Sequence, residues 1–414
     1  MRALRIGLLL GLRQIQRANI WTNILIIFVM TLTFLNLVGV SGILVGLIVG
    51  SERAFREQAI GDIMFAPRDA EKSILDTQSI VSELRTYPDI TSFSVRYRDS
   101  AKVEANYKER RDLRGERDIV TARITGIDVA EENKTTGLQK RVVEGEYLNP
   151  NEEGYILIGS LTLDRYAKGF GDAFDSLRDV QIGDTVRLTT NTASKEFKVK
   201  GVVRSKVEDV SMGMFLPEKE FRRVFGRLDR NADQIAVRLL PGTNEDAVKA
   251  RMVASGMDKK SEIKTFNEGV PKFLTDIKNT FAVLGTFIGS IGLIVASITI
   301  FIIIFINALS RRRHIGILKA VGIERQTIEL AYVTQATFYA LTGSILGAMI
   351  TFLFLVPYFD ANPINFPFSD GILVVEVSST IIKTVILFIV TLIAGFIPAW
   401  LIARANTLNA ILGR

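Results

Sequence analysis

No cysteine occurs in this sequence, and His314 is its single histidine. Disulfides and thiolate metal sites are therefore excluded, and a histidine-based metal cluster cannot form. The cysteine count does not identify a redox compartment. No Gly-x-x-x-x-Gly-Lys-Ser/Thr phosphate loop is present, so nucleotide hydrolysis by that route does not belong to these residues. Gly-x-Ser-x-Gly and His-Glu-x-x-His are missing too, and one histidine leaves no Ser-His-Asp arrangement worth arguing. Carboxylates are scattered and show no pairing. The residues thus offer no catalytic centre and no metal site. The long apolar runs carry no charge near their middles, which argues against an ion or proton relay within a membrane.

What is present divides into two environments. The chain is 48% hydrophobic yet 23% charged, and the apolar residues concentrate toward the two ends. Four runs are long enough to cross a bilayer: about 23–50, 281–309, 330–358 and 381–403. The first is too long for a cleaved leader and lacks a small-x-small site after it. The net charge of +7 does not call for nucleic acid, because much of it flanks these runs. Arg2, Arg5, Arg13 and Arg17 precede the first run, and Arg311, Arg312, Arg313, Lys319 and Arg325 lie between the second and third. Arg404 and Arg414 follow the fourth, whereas 359–380 carries Asp360, Asp370 and Glu376 and no base. Basic residues stay on the cytoplasmic side. Both termini and the Arg311 loop are therefore expected inside, in the plasma (inner) membrane of a bacterium or archaeon. The segments 61–269 and 359–380 are expected outside.

The expected order is a cytoplasmic segment (1–22), a first span with an extension (23–60), an outer domain (61–269) and a second span with an extension (270–309). A cytoplasmic coupling segment (310–329), the third span (330–358), an outer loop (359–380), the fourth span (381–403) and a tail (404–414) follow. Val270, Phe273, Leu274, Ile277, Phe281 and Leu284 keep a one-faced helical spacing that runs into the second span without a break. One helix over 271–309 would be roughly 60 Å long, twice what the hydrocarbon core needs, so the excess is expected to form a stalk.

In the outer domain, 62–66 and 90–97 read as strands around a helix at 70–87. Residues 234–240 and 262–266 read as strands around a helix at 244–257. These two β-α-β units suggest one α/β part made of 61–97 and 234–266. A β-rich insertion, about 119–233, separates them, with strands expected at 122–127, 155–158, 185–188 and 196–203. The densely charged stretch 97–118 reads as a solvated loop, or else as a docking surface for an acidic partner or anionic lipid.

Within the spans, Asn36 and Gln335 are expected to hydrogen-bond between helices. Gly42, Gly46 and Gly50 recur four apart, as do Gly285 with Gly289 and Gly343 with Gly347. This spacing suits close helix packing, within the chain or across a dimer. After the second span, Ile315-Gly316-Ile317-Leu318-Lys319-Ala320-Val321-Gly322 is amphipathic and can form a short surface helix that a soluble partner pushes or pulls.

The stretch 311–326, RRRHIGILKAVGIERQ, resembles the motif that follows the second span of MacB/FtsX-type ABC transporter permeases. Pro398-Ala399-Trp400 through Asn409-Ala410-Ile411-Leu412 resembles their C-terminal ending. Val143 to Tyr147, Ile158-Gly159-Ser160, Ile182 to Val186 and Gly201-Val202-Val203 are similar to their periplasmic core domain. The resemblance implies a polytopic α-helical membrane protein: four transmembrane helices plus a large α+β extracytoplasmic domain, MacB-like, on helical stalks. It implies a non-catalytic permease subunit that holds no cofactor, with ATP and magnesium on a separate ABC ATPase. It further implies a second permease copy or paralogue, and it leaves a place for an adaptor or membrane-fusion protein. Arg311, Arg312, Arg313, His314, Ile315, Gly316, Ile317, Leu318, Lys319 and Gly322 would couple to the ATPase. Motion would pass through the stalks to export or extract a lipid, lipopeptide or lipoprotein, peptide or drug-like substrate. In layout the chain is closer to the lipoprotein-releasing permeases of the LolC/LolE kind, or to other split-subunit exporters, than to MacB, which carries its ATPase on the same chain. The alternative is an FtsX-like regulator that activates a cell-wall hydrolase. His314 stands where the motif often has Glu, and Asn406-Thr407-Leu408 stands where a proline is common.

Overall fold

The computed structural model describes residues 2–69, 71–108, 118–168, 175–362, 365–366, 368–370 and 373–404. Two compact units emerge: residues 1–49, 276–366 and 371–414 form one, and residues 50–275 with 367–370 form the other.

The first unit holds the apolar helices. Four are long and apolar enough to cross a membrane: Ile20–Ile60, Lys272–Ser310, Arg325–Ala361 and Val377–Leu401, the last reaching Arg404 as a helix. They are called here the first to fourth spanning helices. The second has 39 residues. At 1.5 Å per residue it measures about 58 Å against a hydrocarbon core of about 30 Å. The first is continuous but contains π-helical turns at Asn36–Val40 and Arg56–Ile60. Their shared core joins Ile26, Met30 and Phe34 to Ile300, Ile304, Tyr332, Tyr339 and Leu387.

An amphipathic helix at Arg2–Gln16 precedes them. Its Gly7 and Gly11 pack on the third spanning helix, where an added Cβ would lie 2.8 Å from Leu330 Cβ and 2.6 Å from the Ala331 carbonyl oxygen. Ile6, Leu8, Leu9 and Leu12 remain exposed on the other side. Apolar exposure beside Arg5, Arg13 and Arg17 suits a helix lying in a membrane interface. The Gly7-x-x-x-Gly11 spacing is the sequence signal for this packing.

The second unit is built on one mixed sheet of ten strands in the order β10-β1-β9-β2-β3-β8-β5-β7-β4, with β6 pairing β2 and β7. The strands are β1 Ile63–Ala66, β2 Ile90–Glu104, β3 Ile119–Ile127, β4 Val142–Gly145, β5 Tyr155–Gly159, β6 Thr185–Thr189, β7 Ser194–Val203, β8 Met214–Pro217, β9 Gln234–Leu239 and β10 Glu262–Thr265. β9 lies antiparallel between β1 and β2, which makes β1 and β2 a split β-α-β pair. The α/β part and the β-rich part share β2, whose first half pairs β9 and whose second half pairs β3.

Three local readings are corrected here. β2 continues through Glu104, so 97–104 is not a loop. Tyr97, Ala101, Val103 and Ala105 are buried at alternate positions, a period-two signal hidden among the charges. Residues 109–117 of that charged stretch lie outside the described residues. The expected helix at 70–87 shrinks to Thr77–Leu84, because Ile74 and Leu75 donate backbone hydrogen bonds to Ala232 and Lys260 instead. Asn36 makes no interhelical hydrogen bond through Oδ1, which is buried without a partner and closely faces Gly292. Gln335 does bond across helices, from its amide to the Gln14 amide oxygen.

Candidate functional site

Two arrangements bear on function, one in each unit. In the first unit, Arg312–Ala320 forms a short helix one residue after the second spanning helix ends. Gly322 ends it at φ +96°. The Gly322 N–H donates to Lys319 O and the Ile323 N–H to Leu318 O, 3.0 Å each. That double closure needs a left-handed residue after the helix, which glycine adopts without Cβ strain.

This helix divides nine of the ten coupling candidates by face; the side chain of Arg312 lies outside the described residues. Ile315 and Gly316 are buried, and Ile315 joins the core of the spanning helices. Arg311, Leu318 and Lys319 are half-buried. Arg313, His314, Ile317 and Gly322 are exposed, as is Val321, which sequence reasoning did not single out. Val321 is 79% exposed and Ile317 48%, one helical turn apart with Arg313 and His314 beside them. An outward face with two large apolar side chains and basic neighbours is a candidate contact surface. Gly316 lies on the inward face, so a charge there would attack the chain's own packing.

The glycine candidates resolve into specific contacts. A Cβ on Gly343 would fall 2.4 Å from Met30 Cβ, and one on Gly347 2.5 Å from Phe34 Cδ1. These two bring the third spanning helix against the first. Gly285 and Gly289 face Leu44 and Leu37, bringing in the second spanning helix. Gly42 packs instead on the extended segment Leu373 to Val375, and its carbonyl accepts the Val374 N–H at 3.0 Å. Gly46 is buried in the same helix, and Gly50 is half-buried at the start of the second unit. Replacing Gly343 with Val should drive the first and third helices apart, because Met30 Cβ is tied to backbone and cannot swing clear. Overpacking of this kind costs about 1–3 kcal/mol. A purified G343V chain that melts within a degree of wild type would refute the contact.

In the second unit, both membrane-directed helices end inside one core. Phe55 and Ile60 from the first, and Val270 and Leu274 around the start of the second, pack with Ile127, Leu157, Val203 and Phe266. The Phe55 and Phe273 rings meet edge to face, centroids 6.2 Å apart. The last carbonyls of a helix have no partner within it. Here the domain supplies them. Arg238 Nη2 donates to Glu57 O at 3.1 Å, and Arg96 Nη1 donates to Ala59 O at 2.5 Å. Gln58 Oε1 accepts from Ser205 Oγ at 2.7 Å. Arg56 pairs with Asp62 at 2.8 Å and with Glu245, its guanidinium 4.2 Å above the Phe266 ring.

Arg96 does this from a buried ion pair. Its Nη2 and Nε donate to Glu132 Oε1 and Oε2 at 2.7 and 2.8 Å, and both residues are almost fully enclosed. Ser94 and Thr136 hydroxyls donate to the same carboxylate at 2.6 and 2.7 Å. Burial alone would push the Glu132 carboxyl up, but Arg96 and these donors hold it below the ordinary carboxylate range. No spacing in the sequence announced this pair, since Arg96 lies on β2 and Glu132 on the helix Val129–Thr136. Among the described residues no group of carboxylates and histidine is placed to hold a metal ion.

Residues 32–255 match the family model of the MacB-like periplasmic core domain, and residues 286–407 match that of the FtsX-like permease C-terminal region. The chain is 25% identical over 232 residues to the macrolide export ATP-binding/permease protein MacB of Campylobacter jejuni (strain 81-176), covering 53% of this chain and 34% of that protein. It is 25% identical over 283 residues to an uncharacterized ABC transporter permease of Methanocaldococcus jannaschii, covering 66% of this chain and 65% of the relative. Against the ABC transporter permease YtrF of Bacillus subtilis the identity is 24%, over 57% of this chain and 56% of that one. The chain therefore spans about a third of the MacB protein's length and somewhat over half of the other two. The first model alone covers more than half of the sequence, and with the four apolar helices and the mixed sheet it leads to one assignment: the chain belongs to the MacB/FtsX-type ABC transporter permeases.

Proposed function

We propose that the chain is the force-transmitting permease subunit of an ABC transporter whose ATP hydrolysis takes place on a separate ATPase. The outward face of Arg312–Ala320, centred on Ile317 and Val321, receives the ATPase. The second spanning helix carries the displacement as one piece. The observation that carries the reading is its continuity: 39 helical residues run from beside Leu274, in the core of the second unit, to Ser310, next to the contact helix. A straight helix resists axial compression, and no proline interrupts this one.

At the far end the second spanning helix packs into the core of the second unit through Leu274, and a helix clamp of Arg56, Arg96 and Arg238 holds the first spanning helix to the same unit. It ties the last turn of the first spanning helix to the sheet, so displacement of that helix displaces the domain. The substrate is a lipid, lipopeptide or lipoprotein, peptide or drug-like molecule, exported or extracted at the outer face, and a second permease copy or paralogue completes the complex. The lack of charge in the middle of the spanning helices supports action outside the bilayer over ion conduction.

The reading is tested by co-purifying the full chain with candidate ABC ATPases and following domain motion by paired spin labels on the second unit. ATP-dependent distance changes that vanish with a hydrolysis-dead ATPase are expected. A static domain in an actively hydrolysing complex would defeat the proposal. A cell-wall hydrolase captured by the second unit would favour the regulator role over export.

A further inference from the structure

A cavity of about 210 Å³ lies within the second unit, beside the helix clamp. β2 and β3 place Arg96, Arg98 and Arg123 on one face: Arg98 stands opposite Thr125, and Ser100 opposite Arg123. All three arginines line the cavity, and Phe55, Ile60, Val207 and Phe215 form apolar wall. Two of the arginines are paired. Arg96 holds Glu132, and Arg123 holds Asp209 at 2.7 Å. Arg98 differs. Among the described residues its guanidinium pairs with no carboxylate, and its buried Nε donates no hydrogen bond. The cavity lining therefore carries one cation in excess. Burial, reinforced by Arg96 and Arg123, pushes the Arg98 guanidinium down to about 9, which leaves it charged at neutral pH.

The cavity opens to solvent beside the exposed Arg123–Asp209 pair, and Arg98 presents to it a charge and a buried Nε that no protein acceptor uses. Water can solvate it, but an anion meets both the charge and the planar donor set. We infer that this cavity is a binding site for the anionic headgroup, phosphate or carboxylate, of a small amphiphile, with Arg98 as its counter-ion and the Phe55–Phe215 wall taking the apolar end. About seven water-sized groups fit in 210 Å³, enough for a phosphate and a few carbons. The wall includes Phe55 on the last turns of the first spanning helix, so an occupant would touch the clamp.

The test uses the full chain in a neutral maltoside and a phosphate-free buffer. Inorganic phosphate and n-butyl phosphate are titrated by calorimetry, with n-butanol as the uncharged control. Butyl phosphate should bind, inorganic phosphate more weakly, and butanol not measurably. Extending the chain from ethyl to butyl should tighten binding about twofold to fourfold per methylene. Arg98→Gln should weaken butyl phosphate roughly ten- to a hundredfold, the range for a lost charged hydrogen-bond partner. Without ligand, R98Q should melt no lower than wild type, because no protein partner is lost. Undiminished binding by R98Q, or no binding by either phosphate, overturns the site. Inorganic phosphate binding as tightly as butyl phosphate overturns the amphiphile and leaves a free-phosphate site. A large fall in R98Q melting temperature without ligand shows a structural arginine and overturns the unpaired-cation argument.

Discussion

Glu132→Gln is expected to destabilise the second unit by about 3–5 kcal/mol, the range for breaking a buried ion pair from one side. The substitution keeps the shape of the side chain but removes the carboxylate that neutralises Arg96, which is 3% exposed. The loss should appear as a fall of roughly 6–20 °C in the melting transition of that unit, at about 2–4 °C per kcal/mol for a domain of this size. The same change loosens Arg96, which holds the Ala59 carbonyl, so the last turn of the first spanning helix should gain amide exchange. An unshifted transition with unchanged exchange at Ala59 to Gly61 would show that the pair is not the anchor described.

This pair also sets a pH dependence. The folded Glu132 carboxyl lies below its ordinary value, so the folded state binds its proton more weakly than the unfolded chain does. The stability it contributes is present above the unfolded carboxylate value and is lost as pH falls through the folded one. Acid unfolding of wild type should therefore show a component that E132Q lacks. The two proteins should converge in stability at the acid end.

The second large effect belongs to the contact helix. Ile317→Asp combined with Val321→Asp should weaken association with the ATPase at least a hundredfold. Two large apolar side chains moved out of a contact account for about 3–6 kcal/mol, and each 1.4 kcal/mol is a factor of ten. Both residues are exposed, so insertion and folding should stay unchanged. Co-purification with the ATPase and stimulation of its hydrolysis measure the loss. Wild-type affinity in the double variant would place the contact elsewhere. Gly316→Asp behaves differently: it presses a charge into the buried face beside Ile315 and should lower thermal stability, whatever it does to coupling.

The spanning helices were legible from composition alone, because a bilayer demands long uncharged runs and tolerates few substitutes. Most strands of the outer domain were legible for a related reason, since alternating burial writes a period of two into the chain. The extension of β2 is hidden because Arg98, Asp99, Lys102 and Glu104 crowd it with charge and mask the alternation. The short helix Arg312–Ala320 was legible, but which of its faces is exposed was not. Ile315, Gly316, Ile317 and Leu318 look alike in sequence, and only packing against the spanning helices sorts buried from exposed.

The sequence by itself therefore determined the number and approximate extent of the apolar helices and the place of the short amphipathic helix between the second and third. Each depends on residues that are neighbours in the chain. The tertiary structure alone decided which side chains meet across distance: Met30 with Gly343, Arg96 with Glu132 and Ala59, and, among the described residues, Arg98 with no carboxylate paired to it. Those outcomes follow from strand register and helix packing, and neither is written in any local period.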